Sequence, residues 1–278
     1  MVKKVLAKIF IWLVLILMYA PILLLMIYSF QDSQYINLTH FGTPSFRLYS
    51  SLMEYDEIWE AFFNTMLVAV VAAIVSTILG TVGAIGIFYS KKKAKTMLTN
   101  LNQIPVLNAE IITALSLTIL FAQLFKVNFN FATLLIGHVV LTVPFVVLSV
   151  IPKLQQMDPN IYEAALDLGA SPNKALFSVI LPEILPGIFS GLMLSFTLSL
   201  DDYIITAFTR NDSFTTLSTY IYGVTAKGPL PAELRAFTTL FVFSVAIIIV
   251  SYNFYKSYKL RKKGMVGGKK WKRIMHHF

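Results

Sequence analysis

Six apolar runs, each long enough to cross a hydrocarbon layer, leave this chain few folds to choose from. They occupy residues 9–30, 62–89, 104–125, 131–151, 184–208 and 236–255. A spanning helix needs roughly 20 apolar residues, and in lipid only helices or closed barrels satisfy every backbone group. Only 13% of the 278 residues are charged, against about a quarter in an average soluble domain. The pattern predicts an all-α membrane protein of six transmembrane helices, organised as one domain over residues 1–278.

The net charge of +9 raises the question of nucleic acid, but its distribution argues against that partner. Eighteen of the 23 Lys and Arg residues fall on one side of the six-span arrangement. The positive-inside rule then places both termini, the loop at Lys91, Lys92 and Lys93, and the loop 152–183 in the cytoplasm. The acidic segment 31–61 and the segment 209–235 face outward, and the basic tail 256–278 lies near anionic lipid. The chain has no cysteine, which excludes disulfides, thiolate nucleophiles and cysteine-based zinc sites.

Three features resemble better-known devices and fall short of them. The first run follows Lys3, Lys4 and Lys8 but is too long for a signal-peptide core and contains Pro21, so it reads as a retained helix. The tail stretch GMVGGKKW lacks the spacing and the preceding strand of a phosphate-binding loop. Gly80, Gly83 and Gly86 suit close approach of membrane helices. Neither an ATPase motif nor a catalytic triad nor a metal-ligand cluster is present in the sequence, so the reading is a non-enzymatic protein without a metal site.

The internal loop DPNIYEAALDLGASPNKALFSVILPEILPG has its own local structure. Asp158 before Pro159 is an N-cap with proline at the first helical position. Residues 161–168 then form a helix, and Gly169 suits a left-handed stop. Ser171-Pro172 repeats the cap and starts a second short helix, after which Pro182 leads towards the fifth span.

Glu163-Ala164-Ala165, three residues, Gly169, nine residues, Val179, one residue and Leu181-Pro182 together resemble the EAA signature of ABC importer permeases. Isoleucine is usual in that family where this chain has Val179, a conservative change. The resemblance implies a type I importer (MetI-like) permease fold in a bacterial inner membrane. It implies that Glu163, Ala164, Ala165, Asp167, Gly169, Leu181 and Pro182 belong to a coupling element that docks on a separate ATPase. It further implies a second homologous permease (PotB-type), two copies of the ATPase, and an extracytoplasmic substrate-binding protein. ATP and Mg would be used by the ATPase, with no cofactor bound by this chain. The stretches YAPILLLMIYSF, SLTIL and SFTLSLDDYIITAF resemble the spermidine/putrescine branch, PotC-type subunits in particular, which implies a polyamine substrate.

Asp201 and Asp202 lie about 17 residues into the fifth run, roughly 26 Å along a helix. Ionisable groups inside a span mark a pathway or a pairing partner. On a continuous helix the two point about 100° apart. Steps of three and four from Asp202 collect Ser195, Ser199, Thr206 and Thr209, whereas those from Asp201 collect mainly apolar residues. Asp202 is therefore expected to face a wet passage with Ser199 and Thr206, and Asp201 to hold the helix. Glu110 is a second pathway carboxylate. Tyr203, Tyr220 and Tyr222 read either as membrane-interface anchors, the role the sequence favours, or as aromatic surface that binds cations weakly, and His138 reads as a helix-contact residue. Three other readings stay open: a membrane-embedded enzyme, a permease of the same superfamily for another organic cation, an amino acid or an anion, and a proton-coupled secondary transporter. The last has no need of the docking signature.

Overall fold

Helices account for nearly all of the secondary structure, and the places where they break matter most. A computed structural model describes residues 2–33, 36, 43–158 and 160–262, so the GMVGGKKW stretch and Pro159 lie outside the described residues. The helices are α1 (Val2–Tyr28), α2 (Arg47–Met53), α3 (Asp56–Tyr89), α4 (Lys92–Leu107), α5 (Glu110–Ile119), α6 (Phe131–Gln156), α7 (Asn160–Asp167), α8 (Pro172–Ala175), α9 (Leu181–Asp201), α10 (Ile204–Thr209), α11 (Leu217–Lys227) and α12 (Glu233–Lys262). Two π turns, Leu120–Leu124 and Leu176–Ile180, extend α5 and join α8 to α9. The described residues gather into two compact units, one within 57–227 and one drawn from 1–56 and 228–278.

Among the described residues, five helices are long and apolar enough to cross a membrane, and a sixth is reached when one bent pair is taken as a single span. This corrects the expected third span, 104–125. α4 and the α5 segment through Leu124 meet at 101°, because Asn108 and Ala109 are extended (ψ 147° and 133°). Pro105, just upstream, lacks the N–H that would bond back to Leu101. The fifth span is also not continuous from 184 to 208. Helical structure runs from Pro172 to Asp201, stops at Asp202, where ψ is 129°, and restarts at Ile204. The second short helix of the internal loop thus merges with the span. The π turn Leu176–Ile180 sits just before Pro182, where a regular α turn would drive the proline ring into the Ser178 carbonyl.

In the unit 57–227, α3 and α6 run in one direction and α9 returns between their ends. Its core holds Ala84 and Ile87 of α3, Val146, Val147, Val150 and Leu154 of α6, and Ile180 and Ile184 of the π turn and α9. Small residues set the spacing. Gly187, Gly191, Ser195 and Ser199, four apart on α9, are all buried. A Cβ on Gly191 would lie 3.1 Å from Val146 Cγ1, and one on Gly80 would lie 2.6 Å from Val146 Cβ. Val146 is thus held between glycines of two different helices. Of the three glycines expected to permit close approach, Gly80 does so, Gly83 has an ordinary contact at 3.8 Å, and Gly86 faces open space.

In the other unit, α1 is lined by exposed apolar side chains such as Phe10, Trp12 and Leu17. This is the surface expected of a helix meeting lipid or another chain. Buried Arg235 at the start of α12 donates to the carbonyls of Tyr28 and Ser33, tying α12 to the end of α1.

Candidate functional site

Two helix breaks converge at one level inside the unit 57–227. α5 begins at Glu110 after the 101° bend, and α9 ends at Asp201. Glu110 lies within electrostatic range of both Asp202 and Asp201. α10 is six residues long, so the break sits roughly 9 Å below the end of the bundle. Irregular backbone at membrane depth is tolerated where it is buried in protein or lines a cavity, and the two adjacent carboxylates at this break differ in exposure.

Asp202 is the buried case. Its side chain accepts from the backbone N–H groups of Ile205 (3.1 Å) and Thr206 (2.8 Å) and from Thr206 Oγ1 (2.9 Å). It therefore caps α10 from the position just ahead of the N-cap residue Tyr203, satisfying donors that the break would otherwise orphan. Its carbonyl accepts from Ser218 Oγ at 2.7 Å, which draws α11 onto the break. Ser199 and Thr206 are buried with it. His138 of α6 joins the two, with Nδ1 2.7 Å from Ser199 Oγ and Nε2 2.9 Å from Thr206 Oγ1. Asp202 Oδ2 lies 3.6 Å from His138 Nε2, and both side chains are 1% exposed.

Asp201 is the open case. It is exposed, as is Glu110, and neither makes a hydrogen bond or salt bridge among the described residues. This burial pattern is the reverse of the sequence-based expectation, which gave the wet face to Asp202 and the anchoring role to Asp201. Helical phase misassigned them because the helix ends between the two, so the 100° step does not carry across. Ser199 and Thr206 follow Asp202 inward.

Tyr203, half-buried at the break, stacks on Tyr222 of α11 with ring centroids 4.3 Å apart. Tyr220 is buried and so offers no open face. The segment from 209 folds back over the bundle end. Asn64 Nδ2 donates to the Thr215 carbonyl and the Leu217 N–H to Thr65 Oγ1. Thr133, inside the Asn130 capping box of α6, donates to the Thr209 carbonyl.

A second candidate surface lies at the opposite end of the same unit. α7 is capped by Asp158, whose Oδ1 accepts from Asn160 N at 2.9 Å. It stops at Gly169 (φ +85°), with the Gly169 and Ala170 N–H groups bonded back to Leu166 and Ala165. Ser171 Oγ accepts from Lys174 N and starts α8. Glu163, Ala164 and Asp167 are exposed, Ala165 is half-buried, and Leu181 and Pro182 begin α9. Tyr162 anchors α7 from beneath, against Tyr89 (5.8 Å between centroids). Sequence reasoning missed Leu168 and Phe177, which are 89% and 66% exposed. Their signal was available as two large apolar residues flanking the Gly-Ala-Ser-Pro turn of a polar loop.

Residues 76–262 match the family of binding-protein-dependent transport system inner membrane components. The chain belongs to that family. As one of these inner membrane components it is a multi-pass transport protein. It is 33% identical over 235 residues to the spermidine/putrescine transport system permease protein PotC of Escherichia coli K12, covering 84% of this chain and 88% of that protein. It is 34% identical over 241 residues to the putrescine transport system permease protein PotI of the same organism, covering 83% of each. A PotC homolog of Mycoplasma genitalium is 26% identical over 281 residues, covering 97% of this chain and 98% of that protein. A chain from a bacterial ABC transporter involved in import of the acidic polysaccharide alginate superposes with TM-score 0.67 at 14% identity, over 92% of this chain and 96% of that one. That likeness establishes the type I importer permease fold.

Proposed function

We propose that this permease forms half of the transmembrane pathway of an ATP-driven polyamine importer. The observation that carries the reading is the meeting of two broken helices at Glu110 and Asp201, with the stacked pair Tyr203 and Tyr222 beginning two residues further on. Polyamines are flexible polycations. Their passage calls for spaced carboxylates that each meet one ammonium, and for aromatic faces that add weak cation binding without trapping the solute. Neighbouring carboxylates with no fixed counter-ion repel one another, and an arriving cation relieves that repulsion. The names and coverage of the polyamine permeases that resemble this chain support the same substrate class.

In this reading a second, homologous permease supplies the other half of the passage. An external binding protein delivers substrate at the end closed by α10 and α11. Two ATPase subunits engage the opposite end through Glu163, Ala164, Ala165, Asp167 and Gly169, with Leu168 and Phe177 as apolar contacts. Both termini and the α7 loop are cytoplasmic. ATP binding draws the ATPases together and rocks the permeases between inward-open and outward-open states, as rigid bodies. ATP and Mg stay with the ATPase.

The deciding experiment is uptake of labelled spermidine and putrescine into vesicles holding the complete importer. Uptake of either that requires ATP and binding protein supports the proposal. ATP-driven uptake of an anion instead, or polyamine uptake driven by a proton gradient without the ATPase, would refute it.

A further inference from the structure

His138 is buried and bonds to both sides of the α9–α10 break, at Ser199 and at Thr206, and the substrate contacts proposed above do not use it. Its hydrogen bonds have a direction that can be worked out from their ends. Ser199 Oγ makes a bond to His138 Nδ1 and, among the described residues, to no carbonyl. Other serines and threonines in these helices donate to the carbonyl one turn back, as Thr142 does to His138 and Ser149 to Phe145. The Ser199 proton therefore points at Nδ1, which must accept it. At the far end, Asp202 Oδ2 accepts from the Thr206 N–H and Thr206 Oγ1. A carboxylate in that position is an acceptor only, so Thr206 gives its proton to Asp202. Thr206 Oγ1 then has only lone pairs left for His138 Nε2, which must carry the hydrogen.

From this we infer that His138 is a positioning residue, fixed as its Nε2–H tautomer in a one-way chain from Ser199 through His138 and Thr206 to Asp202. The chain joins α9, α6 and α10 in turn. It holds the break at one angle, and with it Asp201 and Tyr203, which flank Asp202 in sequence and face the open side. Asp202 is buried and already accepts three hydrogen bonds, from the Ile205 and Thr206 N–H groups and from Thr206 Oγ1, which leaves solute contact to its neighbours. Buried networks in which every member is satisfied fix one geometry, whereas a half-satisfied one does not.

The transport readout rests on the polyamine reading, whereas the tautomer readout does not, so the two fail separately. In the complete importer reconstituted in nanodiscs with 15N-histidine, His138 should give an imidazole spectrum with a protonated Nε2 and a bare Nδ1, assigned by its loss in His138→Gln. A protonated Nδ1, alone or with Nε2, overturns the chain. In uptake assays, His138→Leu should lower maximal polyamine transport at least tenfold. His138→Gln, whose amide N–H reaches the Nε2 position, should recover to within about threefold of the parent. Equal transport by the Leu variant and the parent overturns the positioning role. Should His138→Leu fail to assemble, Thr206→Val against Thr206→Ser asks the same question. Serine keeps the relay proton and should transport like the parent, and valine should not. Indistinguishable transport by that pair sinks the inference.

Discussion

Tyr203 and Tyr222 stack face to face, 4.3 Å apart and 29° from parallel. One ring comes from the break after α9 and the other from α11, so the stack closes over the bundle end. Aromatic faces at exposed sites contribute about 0.5–1 kcal/mol to cation binding. Replacing both tyrosines by leucine should therefore raise the half-saturating polyamine concentration roughly two- to fivefold by that same estimate. Replacing both by phenylalanine should leave it unchanged. Uptake kinetics over a range of substrate concentrations make the comparison.

The adjacent carboxylates should separate cleanly by readout. Asp201→Asn removes an exposed charge without disturbing a hydrogen bond, so the complex should assemble and unfold normally while uptake falls about tenfold or more. Asp202→Ala removes the α10 cap and leaves buried donors unpaired, at a cost of about 1–2 kcal/mol. Its signature is a lower melting temperature of the detergent-solubilised complex. If Asp202→Ala melts like the parent, the capping role is wrong.

Gly80→Ala drives a methyl group into Val146 and should destabilise the permease by about 1–3 kcal/mol. Gly86→Ala, on the same helix and facing open space, is the matched control. Alanine is the better helix former by about 1 kcal/mol, so this variant should be neutral or slightly more stable. Thermal unfolding of the two side by side distinguishes packing from helix propensity.

At the other end of the unit, Leu168→Ser should leave permease stability within about 0.5 kcal/mol, because the side chain is almost wholly exposed. The amount of ATPase that co-purifies should nevertheless fall, as it should for Glu163→Ala. Gly169→Ala should weaken docking too, but by straining the left-handed turn, at about 1–2 kcal/mol. Retention of full ATPase binding by all three variants would dismiss α7 as the docking element.

Much of this architecture is legible in the sequence because it rests on local chemistry. The caps at Asp158 and Ser171 and the stop at Gly169 need only side chains within three residues of the backbone they bond. The apolar runs register as spans because lipid demands length and little else. The breaks were harder. Pro105 and Asn108 signal the bend within the third run, yet its angle is set by what α4 and α5 pack against: Asn102 bonds the Pro144 carbonyl and Thr118 bonds that of Phe208. The break at Asp202 carries no Pro or Gly at all. It depends on a carboxylate folding back to cap the next helix and on His138, 64 residues earlier in the chain, being there to meet it. Periodicity cannot report a partner on another helix, which is why the polar stripe was found correctly but read as a water-facing surface.

The stripe of small residues on α9 has a mechanical consequence. With Gly187 and Gly191 pressed against α6, the two helices have no room to slide, and they turn together as one lever. From Pro172 to Asp201 that lever is 30 residues long, roughly 45 Å at 1.5 Å per residue. A tilt of about 10° imposed beside α7 sweeps its far tip through roughly 8 Å by that same length, about the width of a helix. The carboxylates stand at that tip, so a small angular input at one face of the membrane becomes a large linear displacement near the other.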